Sequence, residues 1–203
     1  MTHDHDHEHD HGEHDHDHGD EPSAEDERAE AEADARRRLA LAQVRQYPDS
    51  ALRLVANEVA DIDDDVRRLV ERMIVLMHDA QGVGLAATQV GVLRRLFVFE
   101  PDEDGPRAIV NPVVVERGDE SDTDEEGCLS LQGVRVPVER ATSLTIEGKD
   151  EQGADVRFEL DAYGARIVQH ELDHLDGVLI IDRTDEEHRK DALSTLRPRV
   201  VLR

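Results

Sequence analysis

The sequence predicts an α+β fold in which mostly antiparallel, short strands pack around a helix carrying a His-Glu-x-x-His pattern. An amphipathic helix is expected nearer the N-terminus. The order of the patterns leads to this prediction, because one helical pattern precedes a series of short apolar runs and another follows them. This order differs from the repeated strand–helix alternation that produces parallel α/β sheets.

The first helical pattern has apolar residues three and four positions apart between Val66 and Met77. This spacing places them on one face of a helix, and Asp63 or Asp64 is suited to cap its first turn. The pattern ends near Gln81 and Gly82. An amphipathic helix whose methionines lie in the core is therefore expected here.

Short apolar runs separated by Gly, Pro and Asp-rich breaks indicate strands of a mostly antiparallel sheet. A second helical pattern covers about Ala162–Leu175 and ends before Gly177, since glycine favours helix ends. The predicted strands cover residues 96–99, 108–110, 113–115, 134–138, 143–146 and 156–160.

Composition divides the chain into four parts. Residues 1–22 form a His/Asp-rich tail that is expected to be disordered, because it has little apolar surface to bury. Residues 23–44, rich in Ala, Glu and Arg, are expected to be a helical linker or extension. One folded domain from 45 to 184 contains the catalytic candidates, and a C-terminal helix or basic tail is expected at 185–203.

The His-rich tract at residues 3–18 alternates imidazoles with carboxylates. Neutral imidazole nitrogens bind divalent metals, and tracts of this composition do so in other proteins. A non-catalytic metal-binding protein built around this tract is therefore one hypothesis. A solvated tail without a specific function is the other.

Charge and hydropathy exclude several classes of protein. A formal net charge of −25 disfavours binding of DNA through a general phosphate-neutralising surface. The sequence contains no apolar run of membrane-spanning length and no signal-peptide or organelle-presequence pattern, so a cytoplasmic protein without a membrane partner is expected. The single cysteine, Cys128, cannot form an internal disulfide and must be inert, reactive or a ligand.

The sequence His170-Glu171-Leu172-Asp173-His174 is an HExxH motif within the second helical pattern. Residues four apart on a helix lie only about 40° apart around its axis. Both imidazoles can therefore bind one metal ion, with Glu171 beside them to handle a water molecule. The competing interpretation is a pair of surface histidines on a charged helix.

A hydrolytic site of this type needs a third protein ligand. Metzincin peptidases supply another histidine, but Ile180 occupies that position. Gluzincin peptidases supply a glutamate from a later lobe, and Glu186 and Glu187 are poor substitutes because only 29 residues follow His174. Cys128 remains, although a zinc metallopeptidase of the HExxH type stays an alternative. A thiolate with two imidazoles suits Fe(II), Zn(II), Ni(II) or Co(II).

Three separate segments resemble the sequence signatures of the peptide deformylase family. They are GVGLAATQ at 82–89, EGCLS at 126–130 and QHELDH at 169–174, in the family's order and at its approximate spacings. The likeness covers about residues 44–183. The first segment also fits a dinucleotide-binding fingerprint, but it follows a helical pattern, whereas that fingerprint must follow a strand.

The resemblance implies an enzyme that removes the N-formyl group from the formyl-methionine of newly synthesised proteins and releases formate. It implies that Cys128, His170 and His174 bind one divalent metal ion, Fe(2+) in the cell, for which Zn(2+), Ni(2+) or Co(2+) can substitute. Glu126 and Arg140 are candidates for supporting these ligands. A surface position for either charge is the alternative.

The resemblance also implies the catalytic roles. Glu171 accepts a proton from the attacking water and passes it to the departing amine. The Gln89 side-chain amide and the Leu129 backbone N–H stabilise the negative charge that develops on the formyl oxygen.

Substrate is expected to bind by strand addition, which suits an enzyme acting on many N-termini because main-chain bonding tolerates diverse sequences. By resemblance, the binding residues are Val83, Gly84 and Gly127, with Arg135 at the rim of the cleft. The sequence departs from the family pattern near the site. Thr88, Leu131, Gln132 and Ala162 stand where many members have proline, a hydrophobic–Pro pair and glycine.

The expected partners are formyl-methionyl nascent peptides, which implies an encounter with the ribosome. The C-terminal stretch could provide a basic contact with ribosomal RNA or protein, although a frayed, solvated tail is equally compatible with its composition. Its basic residues are Arg189, Lys190, Arg197, Arg199 and Arg203.

Overall fold

A computed structural model describes residues 23–197. The His/Asp-rich tail predicted at 1–22 and the basic residues Arg199 and Arg203 lie outside this range. The helices are α1 (Ala24–Leu41), α2 (Asp64–Asp79), α3 (Ala162–Leu175) and α4 (Glu186–Leu196). The strands are β1 (Gly84–Ala86), β2 (Leu96–Phe99), β3 (Arg107–Arg117), β4 (Ser121–Gly127), β5 (Arg135–Ala141), β6 (Ser143–Lys149) and β7 (Asp155–Asp161).

The strands form two antiparallel sheets. One has five strands in the order β1-β2-β3-β6-β7, and the other pairs β4 with β5. The predicted α+β class with mostly antiparallel strands is confirmed. The runs predicted at 108–110 and 113–115 belong to one strand, β3, whose register shifts between Val110 and Val113.

Two strands lie outside the predicted runs. β1 has only three residues, too few to show an alternating pattern. β4 reads Ser-Asp-Thr-Asp-Glu-Glu-Gly, and Glu126 is its only buried residue. Because a strand of exposed acidic residues has no apolar periodicity, hydrophobic pattern cannot find it.

α2 begins where the side chain of Asp63 accepts a hydrogen bond from the Val66 N–H at 3.0 Å. Such a cap satisfies one of the unpaired amides of the first turn. Val66, Val70 and Met73 are fully buried on one face of the helix. This face packs with β1 and β2 in one of three apolar clusters.

α3 packs against strands of both sheets. Its apolar side chains, including Val168 and Leu172, lie in a second cluster with Phe97 and Phe99 of β2. Gly177 follows the helix at φ 71°, a left-handed conformation that glycine adopts without strain. The central position of α3 fixes the orientation of the polar side chains on its remaining faces.

The N-terminal and C-terminal helices are anchored differently. α1 begins with a capping box between Ser23 and Asp26, is mostly exposed along its length, and buries Ala40 and Leu41 in its last turn. α4 buries Ala192 in a third cluster, which it shares with β5. None of the helices described within residues 23–197 has both the length and the apolar character needed to cross a membrane.

Candidate metal centre and active-site cleft

Three potential metal ligands converge between α3 and the end of β4. The ligand atoms of Cys128, His170 and His174 all lie within 4.8 Å of one another. Cys128 Sγ is 3.2 Å from His174 Nε2, and the two imidazole ring centroids are 4.9 Å apart. Sulfur and nitrogen ligands of a tetrahedral zinc-type centre stand about 3.5 Å apart. The donor set therefore fits a single ion of this kind.

Glu126 orients the first of these imidazoles. Its Oε2 lies 3.0 Å from His170 Nδ1, so Nε2 is the ring nitrogen available to a metal. A carboxylate on the remote nitrogen of a ligating histidine fixes its tautomer and increases its basicity. Glu126 lies in β4, two residues before Cys128, and thus links two of the three donors.

Glu126 is itself held in a buried network of charges. It accepts two hydrogen bonds from Arg140, each 2.9 Å, and another of 2.9 Å from Arg166. Arg140 also donates to Asp173 at 2.6 Å. Burial raises the pKa of Glu126, but the hydrogen bonds from Arg140 and His170 outweigh this effect and lower it to about 2. Glu126 is therefore a carboxylate at neutral pH.

The two histidines of the cluster differ in their affinity for protons. Burial lowers the pKa of His170, yet the hydrogen bonds to Cys128 and Glu126 dominate and raise it well above 6.5. Burial and the neighbouring charge of His170 both lower the pKa of His174. The raised pKa favours the protonated form of the His170 ring, whose Nδ1 faces Glu126 and whose Nε2 is the nitrogen available to a metal ion.

Glu171 lies beside the cluster with its carboxylate directed into the cleft. It is 3% exposed, and burial raises its pKa to about 7 despite the opposing charge of His170. Within residues 23–197, its Oε2 and Nδ1 of His174 have no hydrogen-bond partner. A buried carboxyl group with a free oxygen and a pKa near neutrality can exchange protons with a bound reactant.

Gln89 and Leu129 present hydrogen-bond donors near the cysteine. The Gln89 Oε1 accepts from the Ala86 N–H at 2.8 Å, which directs its Nε2 towards Ser130 Oγ at 3.1 Å and Cys128 Sγ at 3.6 Å. In the described part of the chain, the Leu129 N–H has no acceptor within hydrogen-bond distance, whereas its carbonyl accepts from another side chain.

One cleft of about 780 Å³ joins nearly all of the residues predicted from the sequence. His174 is the exception, because it is 1% exposed and lies behind the other donors. The predicted residues along the cleft are Val83, Gly84, Gln89, Gly127, Cys128, Leu129, Arg135, His170 and Glu171.

Sequence reasoning did not identify three contributors to this region. Arg166 supports Glu126 from a position four residues before His170 on α3, a spacing that places them on the same helix face. Asp173 lies inside the HExxH motif but points to Arg140, away from the cleft. Arg37 of α1 lines the cleft, and no local pattern indicates this long-range contact.

A protein-family model described as polypeptide deformylase matches residues 41–190. The peptide deformylase of Alkalilimnicola ehrlichii is 44% identical over 155 residues, which cover 75% of this chain and 86% of that protein. Peptide deformylase 1 of Corynebacterium glutamicum is 42% identical over 162 residues, covering 78% of this chain and 96% of that protein.

Solved structures of similar proteins have the same fold. The Thermotoga maritima peptide deformylase superimposes with a TM-score of 0.68 at 42% identity, covering 70% of this chain and 96% of that chain. The Ehrlichia chaffeensis peptide deformylase in complex with actinonin gives a TM-score of 0.75 at 32% identity, covering 79% and 98%. The chain belongs to the polypeptide deformylase family.

Proposed function

We propose that this chain hydrolyses the formyl amide of formyl-methionyl nascent peptides and releases formate. The observation that carries this proposal is the convergence of Cys128, His170 and His174 beside Glu171 in the cleft of a family member. The family match favours deformylation over an HExxH metallopeptidase and over a metal-binding protein built on the His tract.

Cys128, His170 and His174 are proposed as the ligands of one divalent metal ion, Fe(2+) in the cell, with Zn(2+), Ni(2+) or Co(2+) as substitutes. A thiolate and two imidazoles accept all of these ions, so the donor set alone does not select iron. When bound, such an ion polarises the formyl carbonyl and lowers the pKa of a water molecule. Glu126 keeps the His170 ring in the ligating orientation.

Glu171 is proposed to take the proton from the attacking water and to pass it to the departing amine. Its burial and its unpartnered Oε2 support this role, because a proton acceptor must be within reach of its reactant. The Gln89 amide and the Leu129 N–H are proposed to stabilise the oxyanion. Both donors lie next to Cys128. Because they are already oriented, stabilising the oxyanion requires little reorganisation of the protein.

The proposed substrate-binding edges belong to β1 and β4. Each strand has one paired neighbour in the sheets described, β2 and β5 respectively. An extended peptide can therefore add to the free edge near Val83, Gly84 or Gly127 through main-chain hydrogen bonds. Arg135 stands at the rim, where its guanidinium donates to the Glu125 carbonyl at 3.1 Å.

We propose residues 45–184 as the catalytic domain, flanked by the helical extension at 23–44 and the C-terminal region at 185–203. We propose a cytoplasmic location, because the proposed substrates, nascent chains, emerge there. The ribosome contact has weaker support, because Arg189 forms an ion pair with Asp182 at 3.3 Å. Unchanged ribosome binding after truncation beyond Asp182, in a protein that remains folded, would count against that contact.

The test of the proposed function is formate release from formyl-Met-Ala-Ser by protein purified without oxygen and analysed for metal. We expect turnover by the native protein, loss on chelation and recovery on addition of Fe(2+). Cys128→Ala is expected to lose both metal and activity, because two imidazoles alone form a weaker site. Absence of formate from the metal-loaded native protein would refute the proposal.

A further inference from the structure

The helix that precedes the family-matched region contributes to the active-site cleft. α1 spans Ala24–Leu41, and the family match begins at residue 41. Arg37 nevertheless lines the same cleft as Gly84, Gly127 and Cys128. Part of the cleft wall is therefore formed by a residue outside the sequence that matches the family model.

Two interactions of α1 fix the position of Arg37. Ala40 and Leu41, in the last turn of α1, are buried in the same apolar cluster as Met77 of α2. The Arg37 Nε also donates to the carbonyl oxygen of Ala80, the C-cap residue of α2, at 3.4 Å. Arg37 as a whole residue is exposed, and within residues 23–197 its hydrogen bond to Ala80 uses Nε, which leaves the two terminal nitrogens for a ligand.

Within residues 23–197, neither Arg37 nor Arg135 takes part in an ion pair, and each donates to a backbone carbonyl instead. The third arginine of the cleft, Arg166, is paired with Glu126 at 2.9 Å. Arg37 and Arg135 thus present positive charge at a cleft whose lining also includes the exposed Glu125, in a protein whose formal net charge is −25. A charged cleft raises the local concentration of ligands of opposite charge.

We propose that Arg37 is a specificity-determining residue that favours formyl-methionyl chains with a carboxylate side chain downstream of the methionine. This inference rests on the proposed deformylase function. A guanidinium binds carboxylates through paired hydrogen bonds. Because Arg37 is exposed, solvent limits the preference to roughly two- to five-fold, which corresponds to the upper range of surface ion pairs.

The test uses the full-length, metal-loaded protein and formyl-Met peptides with an amidated C-terminus, which removes the competing terminal carboxylate. Each peptide carries Asp or its uncharged isostere Asn at the second, third or fourth position. The measured quantity is the ratio of kcat/KM for the Asp peptide to that for the Asn peptide. The native protein should give a ratio of roughly two to five at one of these positions. The difference between the two peptides should lie in KM, and high salt should reduce it.

Arg37→Gln should bring this ratio close to one, and Arg37→Glu should invert it and favour a Lys peptide. The matched control is Arg36→Gln, since Arg36 is an exposed neighbour on α1 outside the cleft lining; it should keep the native ratio. Thermal unfolding of each variant verifies folding.

Equal ratios in the native protein, Arg37→Gln and Arg36→Gln at every position would overturn the inference. An equal loss in both Gln variants would overturn it too, because that result indicates a general charge effect. Native protein that releases no formate from any peptide would instead refute the underlying function, so the two failures are distinguishable.

Discussion

Gly84 and Glu171 approach each other so closely that a Cβ atom at position 84 would clash with Glu171 Oε1. A side chain at position 84 of β1 would therefore require the Glu171 carboxylate of α3 to move. Gly127, on the β4 side of the cleft, differs, because a Cβ there would meet its nearest neighbour at 3.8 Å. Packing within the protein accounts for the first glycine, whereas no close neighbour requires a glycine at the second position.

Gly84→Ala and Gly127→Ala are expected to fail in different ways. The first should displace the Glu171 carboxylate and lower kcat by about 100-fold, since a misplacement of about 1 Å has effects of this size. Overpacking should also destabilise it by about 1–3 kcal/mol. Gly127→Ala should retain native stability and raise KM. Steady-state kinetics and thermal unfolding distinguish them, and native kcat in Gly84→Ala would contradict the assigned contact.

Glu171→Gln should lower kcat by about 10²–10⁴-fold, because the amide cannot accept and return a proton. The change preserves shape and leaves Cys128, His170 and His174 in place, so the metal content should equal that of the native protein. Formate release and metal analysis on the same sample test this prediction. Native turnover in the variant would exclude Glu171 as the proton acceptor.

Glu126→Gln should weaken metal affinity by about 10–100-fold, since it removes the carboxylate that orients His170. It should also lower the free energy of unfolding, because the buried Arg140 would keep only Asp173 as a charged partner. Glu125→Gln is the control, as Glu125 is the exposed neighbour in the same strand. If both variants bind metal equally well, the orienting role is wrong.

Metal affinity is expected to fall as the pH is lowered through neutrality. The pKa of His170 is raised because hydrogen bonds to Cys128 and Glu126 outweigh the effect of burial, so protons and metal compete for this ring. Metal binding should therefore release protons. Calorimetric titration with Zn(2+) in buffers of different ionisation enthalpy measures that release. A proton count of zero at neutral pH would contradict the assigned protonation.

Asp182 should contribute stability that disappears in acid. Burial raises its pKa, but the hydrogen bonds from Arg53 and the Leu179 N–H prevail and lower it below the ordinary value of 3.8. A lowered pKa stabilises the folded state above the unfolded-state pKa, and this contribution is lost as the pH falls through the folded-state value. The difference in Tm between native protein and Asp182→Asn should therefore be present at neutral pH and shrink below about pH 4. A gap that persists at pH 2 would contradict this account.

Local patterns in the sequence were sufficient to predict the helices and the types of side chain proposed as metal ligands. Helix periodicity and an Asp63 cap locate α2, because both act within one or two turns of chain. The spacing of His170 and His174 places both rings on one face of α3 for the same reason. These features depend on neighbours in sequence and need no knowledge of the fold.

Only the tertiary structure decided which distant groups surround these elements. The bonds from Arg140 to Glu126 and Asp173 and the place of Arg37 in the cleft join residues from separate elements. Sequence patterns did not predict β4 either, because its exposed acidic residues form a strand through pairing with β5. Backbone pairing and the burial of charged groups depend on which surfaces meet in the folded protein. The periodicity of the sequence reflects local structure and does not predict these long-range contacts.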